Sequence, residues 1–437
     1  MKLALLWWFA ALLAFGEGVR DFPRGICAPL PKVHYNTVTE DQQTILDELV
    51  AVARTRASDG GGDGRVIVLM FADSAYQHVV VNWLYAAAAS NVSNSLVVSL
   101  DPGLHRTLQR LGAPSFYHPA AVETMSRVFL ANTTASARSA ALAKVWGYRL
   151  LAIEALLASG LTVLQTDSDV VLFPNAVREI TALPGDVVVQ PGGMPASVAS
   201  GWGVALCLGL ILFRANARTV LLLRVARAFF AHAEYDDQIA FNYALKTCTQ
   251  MVFKSQAWDS AGPLLFGKRV KTALKTEPVF AYARKSQNAV LSGALTVTFM
   301  PAVLAPRRDG PCGLAAGKKG MTIEQRMARF DAALAETPHS VAFHCNSATG
   351  KSKQSVKRLK VSGLYYVSER KLWTFENKME EEAKAGQEAK GDGRGAAGTS
   401  AVYLGSAAEA KRLVLCMGNG RHPGALPAGA CSPPPPA

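Results

Sequence analysis

Apolar positions fall along this chain in two alternating patterns. Short unbroken runs predict buried strands, and longer stretches at helical spacing predict helices. Residues 65–71 (RVIVLMF) are a continuous apolar run between a Gly/Asp-rich loop and Asp73-Ser74. That is the pattern of a parallel strand buried on both faces. Residues 79–90 then predict a helix, and 95–100 (SLVVSL) a strand ending at Asp101-Pro102. Upstream, residues 41–54 carry Ile45, Leu49 and Val52 at helical spacing, with Thr39 as the cap. A short helix over 104–111 precedes a longer one over 136–159. The latter has Trp146, Leu150, Ile153 and Leu157 on one face and is stopped by Gly160. Further strands are predicted at 161–165, 186–190, 204–213, 295–300 and 340–344, and helices at 219–232, 234–245 and 322–336. Strands alternating with helices predict an α/β fold, a mostly parallel Rossmann-like sheet flanked by helices. The absence of Gly-x-Gly-x-x-Gly disfavours a standard dinucleotide site.

The flanks read differently. Met1-Lys2 precedes an apolar segment over 3–15, shorter than the ~20 residues a spanning helix needs, so residues 1–16 read as a signal peptide or short signal anchor. Residues 17–64 form a lead-in, 65–370 the main domain, and 371–437 a charged, Gly/Ala/Pro-rich tail. Sequons at Asn91 and Asn132 agree with a secretory address. Seven cysteines allow up to three disulfides and include no zinc-type Cys-x-x-Cys pair. A net charge of +13 favours anionic partners. The basic residues form no groove interleaved with aromatics, so no nucleic-acid partner is expected.

The candidate chemistry lies in LTVLQTDSDVVLFPN, residues 161–175. Asp167 and Asp169 follow a predicted strand, where open α/β sheets place their ligands. In an extended chain residues i and i+2 point the same way. Two such carboxylates would repel a diphosphate unless Mn²⁺ or Mg²⁺ bridged them. His344, at the end of the last predicted strand, is a candidate third ligand, and Lys351 on the following loop could reach a phosphate as a point charge. Gly209, inside a predicted strand, marks close approach of a backbone or ligand. Asp236, Asp237 and Gln238 sit at a helix start, where they line the reacting sugar or cap the helix. On the helix before the motif, Lys144 and Arg149 face the anionic site or solvent, and solvent is the default.

In order and spacing these pieces resemble the nucleotide-diphospho-sugar transferases of glycosyltransferase family 77, which include rhamnogalacturonan xylosyltransferases and extensin arabinosyltransferases. The matching segments are FADSAY (71–76) with Asn82-Trp83, VVSLD (97–101), the Lys144 helix and LQTDSDVVLF (164–173). The strand around Gly209 ending in Phe213-Arg214, DDQIAFN (236–242) and FHCNSATGKSKQ (343–354) complete the set. The resemblance covers roughly residues 65–370. It implies a GT-A fold and retaining, metal-dependent transfer of a pentose or galactose from a UDP-sugar to a cell-wall polysaccharide or glycoprotein acceptor in the Golgi lumen. A secreted location is the alternative, and the membrane is met only through a short N-terminal anchor. It further implies that Asp167 meets ribose and metal, that Asp169 and His344 complete the metal set, and that Asp73, Asp101, Lys144, Gly209 and Lys351 belong to the nucleotide side. Asp237 and Gln238 would face the sugar. Where the family usually has Asn-Thr-Gly or Asn-Ser-Gly, this chain has Cys207-Leu208-Gly209. That departure keeps a second expectation open, a non-catalytic GT-A-fold carbohydrate-binding or wall-associated protein.

Overall fold

A computed structural model describes residues 38–59, 64–130, 137–230, 236–255, 267–284, 295–305 and 340–344. The predicted helix over 322–336, the terminal segments, the Asn132 sequon and Lys351 lie outside these residues. The first described element is α1 (Glu40–Arg56), opened by a capping box in which Thr39 and Gln42 satisfy each other's backbone amides. Its apolar face, Ile45, Leu46, Leu49, Val50 and Ala53, joins the main core.

One large sheet organises the rest. Its strands are β1 (Ser58–Asp59), β2 (Arg65–Ala72), β3 (Ser95–Ser99), β4 (Ser115–Phe116), β5 (Thr162–Thr166), β7 (Val187–Gly192), β8 (Ala205–Phe213), β9 (Gln250–Ser255), β10 (Val279–Arg284) and β11 (Thr296–Phe299). Their order is β4-β3-β2-β5-β8-β7-β11-β10-β9, with β1 also paired to β2. Seven of the ten run the same way. The exceptions are β1, β8 and β10, each antiparallel to its neighbours. A separate two-stranded sheet joins β6 (Val170–Leu172) to β12 (Ala342–His344). The sheet is therefore mixed rather than doubly wound throughout, because β8 inserts antiparallel between β5 and β7. Strand direction leaves no mark on an apolar run, so composition could not show this.

The two faces of the sheet carry separate cores. Along β2, Ile67 and Leu69 enter one core, while Val68, Met70 and Ala72 enter the other. That is why RVIVLMF is apolar throughout instead of alternating. The first core packs β2 and β5 against α1, α5 (Ala137–Ala158), α8 (Ala217–Phe230) and α9 (Asp237–Cys248). The second packs them against α2 (Gln77–Ala89), α3 (Pro102–Arg110) and α6 (Ala176–Ala182). Between α3 and α5 lies α4 (Ala121–Leu130), whose Thr124 carbonyl accepts from Gln42 of α1. Helix α5 ends in a Schellman turn. Leu161 N–H donates to Leu156 O, Gly160 N–H donates to Leu157 O, and Gly160 takes a φ of +86°.

The pairing of β7 with β8 contains the one break in register that positions the site. Val189 pairs with Ile211, but the next residue, Gln190, pairs with Cys207. Leu208, Gly209 and Leu210 bulge out between them. The bulge reverses the strand's facing. Leu206 and the first bulge residue, Leu208, enter the first core, and Ile211 and Phe213 enter the same core after the bulge. Bulges of this kind re-aim side chains beside functional sites.

At the opposite end of β7, buried Asp186 accepts from Arg218, from the Thr296 amide and from the Thr296 hydroxyl. Burial works to raise its pKa, but the bonds from Arg218 and Thr296 outweigh it and hold the pKa below 3.8. A depressed folded pKa means stability that is present above the unfolded pKa and lost as pH falls through the folded one. Asp186→Ala should cost roughly 3 kcal/mol at pH 7, with the gap to wild type closing below about pH 3.8. Urea midpoints at both pH values check it. A gap that does not change with pH would remove Asp186 from the acid sensitivity.

Candidate functional site

The end of β5 builds the site. Asp167 N–H donates to Gly209 O, and Val170 N–H returns to Asp167 O at 3.1 Å. Residues 167–170 are thus a tight turn, not the extended strand expected from the sequence. The two carboxylates converge because the turn folds Asp169 back toward Asp167, rather than through strand alternation. The chain then continues as β6, which pairs His344 opposite Val170. That register delivers the imidazole of His344 to the turn.

His344 Nε2 lies 3.3 Å from Asp169 Oδ1 and 3.9 Å from Asp167 Oδ2. One ligand atom from each of the three residues falls within 4.8 Å of the others. His344 is 2% exposed, Asp169 13% and Asp167 41%, so the cluster is lined by protein below and open above. Gly209 forms its floor. A β-carbon there would strike His344 Cε1 and stand 2.7 Å from Asp167 Oδ2. The bulged backbone comes this close only because residue 209 has no side chain. Gly209→Ala should leave the fold intact, at an overpacking cost of about 1–3 kcal/mol. It should also weaken Mn²⁺ binding by about 100-fold, because His344 and Asp167 must move apart. Mn²⁺ titration of the purified variant checks this, and unchanged affinity would detach Gly209 from the site.

A buried cation, for which the sequence favoured solvent, holds the acids in place. Arg149, on α5, donates from Nε to Asp237 Oδ2 at 2.5 Å and from Nη1 to Asp167 Oδ1 at 3.1 Å. It faces the site, not solvent. Asp237, in the first turn of α9 behind the capping residue Asp236, is 3% exposed. Burial pushes its pKa up to about 6, against the lowering effect of Arg149. Gln165 also reaches Asp167 Oδ1, at 3.5 Å. Protein donors therefore occupy Oδ1 of Asp167, and Oδ2 is the oxygen turned toward His344. Burial works to depress the His344 pKa, but Cys207 and Asp169 outweigh it and raise it. A cation at this cluster would take the place of the imidazole proton.

The other sequence-derived residues separate into groups. Asp73, at the end of β2, has a buried Oδ1 with no hydrogen-bond partner. Burial and then the charge of Asp101 raise its pKa. Asp101 is committed elsewhere. It caps α3 through Leu104 N–H and accepts from the Ser74 amide and hydroxyl, which together lower its pKa against burial. Tyr76, which the sequence reading did not single out, lies among the acids. Burial and the charges of Asp73, Asp169 and Asp167 raise its phenol pKa. Lys144 pairs with Glu123 at 2.8 Å on the surface of α4 and α5, and no bond from it to the cluster is present among the described residues. Gln238 accepts from Leu208 N–H and donates to Met194 O, so its amide bridges β8 and the loop after β7. The two residues that depart from the family pattern are both buried. Leu208 packs in the first core, and Cys207 Sγ lies 3.6 Å from His344 Nδ1.

This arrangement suits a divalent cation. Asp167, Asp169 and His344 meet here, with Arg149 and the buried Asp237 behind Asp167. Two carboxylate oxygens and an imidazole are donors that Mn²⁺ and Mg²⁺ accept. The strand-end position of the cluster suits a nucleotide beside it.

Comparison with known proteins bears on the same site. No curated protein sequence matches the chain. Among solved structures it is similar to the WbbM bifunctional glycosyltransferase (13% identity, 67% of this chain and 49% of that one, TM-score 0.37). It is also similar to the glycosyltransferase GlyE of Streptococcus pneumoniae TIGR4 (12%, 68% and 59%, TM-score 0.35). A third is the galactosyltransferase LgtC in complex with donor and acceptor sugar analogs (9%, 70% and 99%, TM-score 0.31). The chain thus spans about half to three fifths of the first two proteins. A family model for nucleotide-diphospho-sugar transferases matches residues 90–359. That span exceeds half of the chain and contains Arg149, the Asp167–Asp169 turn, Gly209, Asp237 and His344. The chain belongs to the nucleotide-diphospho-sugar transferase family.

Proposed function

We propose that this chain is a metal-dependent glycosyltransferase that moves a sugar from a UDP-sugar to a carbohydrate acceptor, with retention of configuration. The observation that carries the reading is the Asp167–Asp169–His344 cluster over Gly209. Mn²⁺ or Mg²⁺ held there would supply positive charge to the leaving diphosphate. The chain's own residues do the rest. Asp73, at the end of β2 and close to Asp101, would stand on the nucleotide side. Arg149 fixes the orientation of Asp167 and Asp237 before substrate arrives, so that little reorganisation is left for the reaction. Asp237 and Gln238 would stand on the sugar side. A pentose or galactose as the donor sugar, and a cell-wall polysaccharide or glycoprotein as acceptor, remain part of the proposal through the family 77 resemblance.

The proposal includes a secretory lumen, most simply the Golgi. Asn91 of the first sequon is exposed in the turn after α2, and Cys248 is disulfide-bonded, as suits an oxidising compartment. No helix among the described residues is long and apolar enough to cross a membrane. A second reading, a carbohydrate-binding relative without catalysis, draws on the engagement of Gln238 by backbone groups. A panel of UDP-sugars titrated against the purified chain tests the donor class. At least one should raise the melting temperature by several degrees, and only with Mn²⁺ present. A panel with no Mn²⁺-dependent shift would reject a UDP-sugar donor.

A further inference from the structure

The side of His344 that faces away from the acids is as closely held as the side that faces them. Nδ1 lies 2.7 Å from Gln190 Oε1. Gln190 is fully buried, and its Nε2 donates at 2.8 Å to the carbonyl of Ala305. A carbonyl only accepts, so the amino end of the amide must face Ala305 and the oxygen must face His344. An oxygen acceptor at that distance requires the hydrogen to reside on Nδ1. The lone pair of the neutral ring is then on Nε2, the atom turned toward Asp169 and Asp167. Gln190 is also the residue of β7 at which the register jumps to Cys207. The bulge that brings Gly209 under the cluster thus places Gln190 behind the ring.

We propose that Gln190 is the positioning residue of the metal site, setting the tautomer and ring orientation of His344 so that Nε2 is its ligand atom. Cys207 Sγ, at 3.6 Å from the same nitrogen, sits beside this bond and does not replace it. The inference rests on the metal-site reading above and deepens it. Buried partners of ligating histidines typically change metal affinity by about 10- to 100-fold when removed.

The test uses the full chain without substrate. Mn²⁺ dissociation constants are measured by the paramagnetic signal of free Mn²⁺ for wild type and Gln190→Leu, with melting temperatures beside them. Separately, ¹⁵N-histidine-labelled wild type is loaded with ¹¹³Cd²⁺, and the nitrogen coupled to cadmium is identified. The expected results are a 10- to 100-fold weaker Mn²⁺ affinity in Gln190→Leu and coupling at Nε2, with a proton retained on Nδ1. Equal affinities in a folded variant would overturn the role of Gln190. Coupling at Nδ1 would overturn it too, whether or not the variant folds. If wild type binds neither metal, the site reading itself fails, and the inference fails with it.

Discussion

Asp169→Ala should lower sugar-transfer activity by about three orders of magnitude, equivalent to about 4 kcal/mol of transition-state stabilisation. The variant should keep its fold. Asp169 lies in the turn over 167–170, with Oδ1 3.3 Å from His344 Nε2. Asp167 carries bonds to Arg149 and Gln165 as well, so its loss would disturb the surroundings of Asp237 along with the cation site. Asp169 is therefore the cleaner substitution. Activity is read as UDP release, with near-ultraviolet circular dichroism as the check on folding. A folded Asp169→Ala chain with more than a tenth of wild-type activity would remove the carboxylate from the metal set.

The second large effect is on stability. Arg149→Met should destabilise the chain by about 3–5 kcal/mol at pH 8, because Asp237 would be left charged and buried without its partner. The pH dependence follows from the same carboxylate. Burial already raises Asp237 to about 6 with Arg149 present, and without it the value should rise further. An acid whose folded pKa is raised is favoured in the fold when protonated. Its contribution is intact below the unfolded pKa of 3.8 and is lost as pH rises through the folded value. The deficit of Arg149→Met should therefore be largest at pH 8 and smaller at pH 5. Adding Asp237→Asn should recover much of it. Urea unfolding of the single and double variants at the two pH values measures all of these. A loss below 1 kcal/mol, equal at both pH values, would show that the pair is not the structural tie described here.

These residues also mark what could be read in advance. RVIVLMF and the run at 161–165 were legible because strands buried on both faces leave no polar positions to mislead. Gly160 was legible because the turn that ends α5 needs a positive φ. Asp167, Asp169 and His344 were legible as strand-end residues, and the structure brings them together. What stayed hidden depends on contacts across the sheet. The reversal of β8, the bulge over 208–210 and the turn at 167–170 are set by pairing, which a one-dimensional apolar pattern does not encode. Arg149 could not be separated from Lys144 on helical spacing alone. Its role is set by Asp237, 88 residues away in the chain and against it in the fold. Asp101 is expected on the nucleotide side through the family 77 resemblance, while its second task, capping α3 and accepting from Ser74, shows only in the folded chain. A short element such as α6, seven residues long, carries too few positions for a periodic signal.

The most direct test of the account is UDP release from UDP-sugars by the purified wild-type chain, with Mn²⁺ supplied and then withdrawn by chelation. The account predicts release that requires the ion and returns when it is added back. Release that persists at full rate after chelation would contradict it.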